Sequence, residues 1–154
     1  MRVASTYLAL FVICGACAPP ATDAAADEEL LRAELQGYYT AYNARDVDAL
    51  VERYEGGAVI MAANEPVAVG TEAIRAFFIA GWEGAEIEVN GEMDDLVISG
   101  DWATMRGSWR GMITPSDGSP SIEDTGSFIE VYRRQSEGSW KSVWDIWNST
   151  LPQP

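Results

Sequence analysis

Histidine is absent from these 154 residues. That removes the usual general base, Ser-His-Asp and Cys-His nucleophile systems, and imidazole metal ligands. Cysteine is almost absent: Cys14 and Cys17 are the two, both near the N-terminus. The body therefore has no disulfide, no thiol nucleophile and no thiolate metal site. Basic residues are scarce, 10 against 24 acids, for a formal net charge of −14. So acidic a chain, with no Lys/Arg cluster, would be repelled by phosphates, which excludes nucleic acid as a partner, and by anionic lipid surfaces. Any catalysis must come from Asp, Glu, Tyr, Arg or Lys. The 47% hydrophobic content suits one globular domain and opposes disorder.

The N-terminus reads as an export segment. Arg2 precedes an apolar run, Val3–Ile13, that is too short to span a bilayer, which needs about 20 residues. Gly15 and Ala16 before Cys17 resemble a bacterial lipobox, with Cys14 where an aliphatic residue is usual. Residues 1–16 are then a lipoprotein signal peptide, Cys17 the lipidated residue, 17–26 a tether, 27–150 the domain and 151–154 a tail. The expected location is the periplasm or cell envelope, with the membrane reached only through the anchor. Ordinary cleavage after Ala16-Cys17-Ala18 is the alternative. Asn148-Ser149-Thr150 matches a glycosylation acceptor, a chance match beside a lipobox.

Along the body, Leu31, Leu35, Tyr38 and Tyr42 form one stripe of an amphipathic helix over Asp27–Arg45. Asp46 can cap a second helix bearing Val47, Leu50, Val51 and Tyr54, which Gly56-Gly57 stops. Ala58–Ala62 and Val67–Val69 read as short strands, and Thr71 as the N-cap of a third helix with Ile74, Phe77 and Phe78 inward. Beyond Trp82 the chain is strand-like: Ile87, Val89 and Met93 alternate with polar residues, then come Trp102–Thr114, Glu123–Gln135 and Trp140–Ser149. Helices first and antiparallel strands after is an α+β layout.

Three blocks carry a family resemblance. Tyr38-Tyr39-Thr40-Ala41-Tyr42-Asn43-Ala44-Arg45-Asp46 resembles the opening of SnoaL-like, nuclear transport factor 2-like domains. Gly70–Phe77 resembles their third helix, and Gly138–Asn148 their closing strand. The resemblance implies a cone-shaped domain of three N-terminal helices packed in a strongly bent, mostly antiparallel sheet, the ketosteroid isomerase-like fold. Carried over by position, the isomerase's oxyanion-hole tyrosine falls on Tyr38, its general base on Ala62 and its second acid near Phe128. One donor survives and the base does not, which argues against ketosteroid isomerisation.

The cone's expected lining is Tyr38, Tyr42, Met61, Trp109, Phe128, Asp145 and Trp147. If Trp147 faces inward, strand alternation brings Asp145 and Val143 with it, while Phe128, Glu130 and Tyr132 share a face on the neighbouring strand. Asp145, Glu130 and Tyr38 are then the acid/base candidates, with a helix-one tyrosine, Tyr38 or Tyr42, as Asp145's partner. Asp145 could equally be structural, accepting hydrogen bonds, and Glu130 could point to solvent. Trp140, Trp144 and Ile146 fall on the opposite face, where a second subunit would cover them, implying a homodimer. Glu86, Glu88 and Glu92 read as a solvated edge rather than a calcium site. Three functions follow: binding of a small, mostly apolar molecule without a cofactor; a cofactor-independent lyase, isomerase or hydrolase; or a dimerising module with a vestigial cavity. Two convergent carboxylates would favour the enzyme, and a filled cone the module.

Overall fold

Twenty residues, Ala24–Asn43, form the first helix, α1, in the computed structural model, which describes residues 24–151. The export segment, Cys17 and residues 152–154 lie outside the described residues. Leu31, Leu35 and Tyr39, spaced four apart, are the buried ridge of α1, with Tyr38 and Tyr42 half-buried beside it. Asp46 caps α2 (Val47–Glu52), accepting from the Ala49 amide at 3.0 Å.

Two expectations fail next, both at glycines. Tyr54 does not extend α2 but opens strand β1 (Tyr54–Met61), and Gly56-Gly57 lie within that strand. There β1 bulges away from its neighbour, its register jumping between Tyr54 and Val59. After β2 (Ala68–Val69), α3 (Thr71–Gly81) is capped by Gly70, so Thr71 is its first helical residue rather than its cap. Gly70 sits at φ +81°, a region that disfavours any residue with a Cβ.

Four long strands follow: β3 (Ala85–Ser99), β4 (Trp102–Pro115), β5 (Ile122–Arg134) and β6 (Trp140–Trp147). They form one six-stranded sheet in the order β2-β1-β6-β5-β4-β3, antiparallel except where β1 runs parallel to β6. The helices pack against its inner face, an α+β cone left open at one end, as the sequence implied. The edge strand β3 is pinned to α1 by Asn43, which donates to the Val89 carbonyl and accepts from the Val89 amide.

Two apolar clusters hold the helices to the sheet. One gathers Leu50, Ile60, Ile74, Phe78 and Trp82 between α2, α3 and β1. The other sets Leu31, Leu35 and Tyr39 against Met105, Phe128, Tyr132 and Trp140. At the start of α1, buried Asp27 accepts two hydrogen bonds from Arg134, whose guanidinium lies 4.3 Å from the Trp140 ring centroid. Those hydrogen bonds hold Asp27 below the usual carboxylate range. The contact therefore stabilises the fold above the ordinary carboxyl pKa and is lost as pH falls.

Alternation along β6 is broken by one residue. Val131 pairs with Trp144 but Tyr132 pairs with Ser142, leaving Val143 as an extra residue in the strand. Both Asp145 and Ser142 are therefore buried, and so is Trp140, at 2% exposure. Trp140 thus does not join Trp144 and Ile146 on the outer face, and Ser142, not Val143, pairs opposite the buried Tyr132.

Candidate functional site

Between α1 and the inner faces of β3 to β6 lies a cavity of about 170 Å³. That resembles the ~150 Å³ of an apolar cavity able to hold benzene, so the space suits a compact, one-ring molecule. Its walls are mostly apolar: Leu35 from α1, Ile87 and Val89 from β3, Trp109 and Ile113 from β4, Phe128 from β5 and Trp147 from β6. Tyr38, Tyr39 and Tyr42 look in from α1, and Asp124, Glu130 and Asp145 supply carboxyl groups.

Close approach to this space depends on missing side chains. Gly91 and Gly126 flank Trp109 in register on the neighbouring strands. A Cβ on Gly91 would overlap the Tyr39 hydroxyl, and one on Gly126 the Trp109 indole and the Asn148 carbonyl. The indole can therefore lie across β5 and donate to the Asn148 carbonyl at 3.1 Å. Asp124 accepts from the Ser149 hydroxyl at 2.7 and 2.9 Å and from the Thr125 amide at 2.7 Å, two donors from outside the cavity lining.

Glu130 and Asp145 are direct cross-strand neighbours, 7% and 6% exposed. The Tyr132 hydroxyl donates to Glu130 at 2.5 Å, and the Tyr54 hydroxyl donates to Asp145 at 2.7 Å. Asp145's partner is thus Tyr54 on β1, not Tyr38 or Tyr42. Burial pushes both carboxyls up. Asp145 goes further, because the charge of Glu130 adds to burial and Tyr54 opposes it. Glu130 is held back by the Tyr132 hydroxyl, by Ser142 beside it and by the charge of Arg53. Asp145 is therefore the harder of the two to ionise. Burial and the same acids keep the Tyr38 and Tyr54 phenols well above their ordinary range.

Six of the seven expected lining residues, Tyr38, Tyr42, Trp109, Phe128, Asp145 and Trp147, surround this cavity, together with Glu130. Met61 does not. It pairs with Ile146 on the outward register, whereas its neighbour Ile60 pairs with Asp145 and is fully buried. Tyr39, Asp124 and Tyr54 went unforeseen. Tyr39 continues the Leu31, Leu35 spacing, which was the signal for it; nothing local marks Tyr54. Among the described residues no cluster of acids is arranged to hold a metal ion.

Comparison with known proteins places this geometry. Residues 35–143 match the model of the SnoaL-like domain. No curated protein matches significantly. A ketosteroid isomerase-like protein from Erwinia carotovora atroseptica is 23% identical and superposes with a TM-score of 0.75, covering 80% of this chain and 96% of that one. The hexachlorocyclohexane dehydrochlorinase LinA-type3 from Novosphingobium barchaimii is 16% identical, with a TM-score of 0.76 over 86% and 92% of the two chains. An NTF2-like protein with a cystatin-like fold from Novosphingobium aromaticivorans is 18% identical, with a TM-score of 0.72 over 84% and 86%. Such identities speak for shared fold alone. With its matched segment spanning most of the described helices and strands, the chain belongs to the SnoaL-like domain family.

Proposed function

We propose that the cone binds a compact, mostly apolar molecule and reads its polar end with Glu130 and Asp145, without a cofactor. The observation that carries this reading is the placement of two adjacent, hydrogen-bonded carboxyls in the wall of a mostly apolar cavity. A second reading goes further: the pair transfers a proton on the bound molecule, as in isomerisation or elimination. It is supported by two buried carboxyls side by side, with Asp145 the harder of the two to ionise, an arrangement that can serve proton transfer without histidine. The names of two structural neighbours, an isomerase-like protein and a dehydrochlorinase, belong to that kind of chemistry. The vestigial-cavity module loses ground, since the cone is not filled.

The outer face supports a homodimer. Trp102 and Trp144 stack there with ring centroids 6.3 Å apart, and Ile129 and Ile146 pair beside them, all exposed. Native mass spectrometry of the purified protein reads both proposals at once. The expected spectrum is a dimer carrying a displaceable small molecule. A monomer would remove the dimer. A ligand-free spectrum, with no shift of the Trp109 or Trp147 signals on adding one-ring compounds, would remove the binding reading.

We also propose that the domain is tethered to the cell envelope through Cys17. Cys17→Ser should move the protein from the membrane fraction to the soluble one or leave it unprocessed. Unchanged fractionation and N-terminal mass would refute the tether.

A further inference from the structure

The charge pattern of the cavity narrows the class of ligand. Of the described residues that line it, none is Lys or Arg, while three are acids. Asp124 spends its carboxylate on Ser149 and Thr125. Glu130 and Asp145 each have one tyrosine donor, which leaves acceptor positions on both carboxyls. A carboxylate or phosphate ligand entering here would meet negative charge at short range with no cation in the cavity wall, the nearby Arg53 being paired with Glu34, in a site that screens poorly. Anions are therefore disfavoured, and the net charge of −14 repels them on approach as well.

A cation meets the opposite situation. Its charge would face the buried Glu130 carboxyl among mostly apolar walls, where charge-assisted hydrogen bonds are strong. The surrounding surface is aromatic, with Tyr38, Tyr42, Trp109, Phe128 and Trp147 all lining the space. Ring faces attract cations as well as apolar bodies. From this geometry we infer that the cone takes a protonated amine carried on a one-ring-sized apolar body, its ammonium at Glu130 and Asp145. The inference rests on the ligand-binding reading above and names the class of ligand for that site. A positive charge beside the pair favours the ionised form of both carboxyls.

Three near-isosteres test this on the intact chain: benzylamine, benzyl alcohol and benzoate, titrated by calorimetry. Benzylamine should bind about tenfold or more tightly than benzyl alcohol, a margin expected for one charge-assisted contact, and benzoate should not bind. The preference should persist in about 0.5 M salt, where attraction by surface charge alone is screened. In Glu130→Gln the preference for amine over alcohol should shrink by about tenfold. Should that variant fail to fold, the comparison in the unmodified protein decides alone. Equal or tighter binding of benzyl alcohol would overturn the amine assignment and leave the binding reading standing. A preference abolished by salt would overturn it too, by placing the amine on the surface. Failure of all three compounds to bind would remove both.

Discussion

Phe78→Ala should lower the unfolding free energy by about 3–5 kcal/mol, the usual cost of emptying a large buried aromatic site. Phe78 is 1% exposed, and its ring lies 5.6 to 6.3 Å, centroid to centroid, from those of Tyr38, Tyr42, Tyr54, Phe77 and Trp82. These rings come from α1, β1 and α3, so no single element can move in to fill the void. The loss should show as a lower denaturant midpoint with an unchanged slope. Because Tyr38 and Tyr42 also wall the cavity, binding of one-ring compounds should weaken with it. A loss below about 1 kcal/mol would mean that α3 is not packed on this cluster.

Asp145→Asn should do the reverse and stabilise the protein at neutral and alkaline pH. The folded-state pKa of Asp145 lies above its ordinary value of 3.8. The folded protein therefore binds more protons than the unfolded chain between those two values. Stability falls as pH rises through that window, and the deficit persists above it. Asparagine removes the deficit. Its carbonyl oxygen can still accept from Tyr54, and its amide can donate to Glu130. The gain should grow by about 1.4 kcal/mol for each pH unit above the ordinary carboxyl pKa until the raised folded-state value is passed, and be small near pH 4. Ligand affinity or turnover should fall at the same time, which is the exchange of stability for function expected at a working site. Chemical denaturation at the two pH values measures the difference. A variant less stable than its parent at pH 8 would show that Asp145 holds the fold together as a hydrogen-bonded structural acid.

Much of this architecture was legible in the residues because burial is periodic. Leu31, Leu35, Tyr38 and Tyr42 marked α1, and alternation in 102–114 and 123–135 marked β4 and β5 to within a residue or two. What stayed hidden involved pairing rather than pattern. The extra residue in β6, Val143, reverses which side chains face inward upstream of it, and only the register with β5 reveals this. Trp140 was misplaced for that reason. Tyr54 was misread because helix and strand can both bury a tyrosine just after Val51. Its role as Asp145's donor depends on a partner 91 residues away. The carboxyl pair itself was accessible, since Asp145 lies downstream of the bulge, where simple alternation from Trp147 still holds, and Glu130 shares a face of β5 with Phe128.

The parallel pairing of β1 with β6 also bears on how the chain reaches this state. These two paired strands stand far apart in sequence, Ile60 beside Asp145. Arg134 likewise reaches back 107 residues to Asp27. The β3–β4–β5 meander can assemble from neighbouring hairpins, but β1 has no partner other than β2 until β6 arrives. Folding therefore carries many contacts of long sequence separation, and closure of β1 on β6 waits for the last strand. During synthesis, a chain stopped short of Trp140 would leave β1 unpaired on that side and Tyr54 without its carboxylate. The cavity is assembled by the last strand to emerge, so a nascent chain can hold helices and a meander yet still have no site.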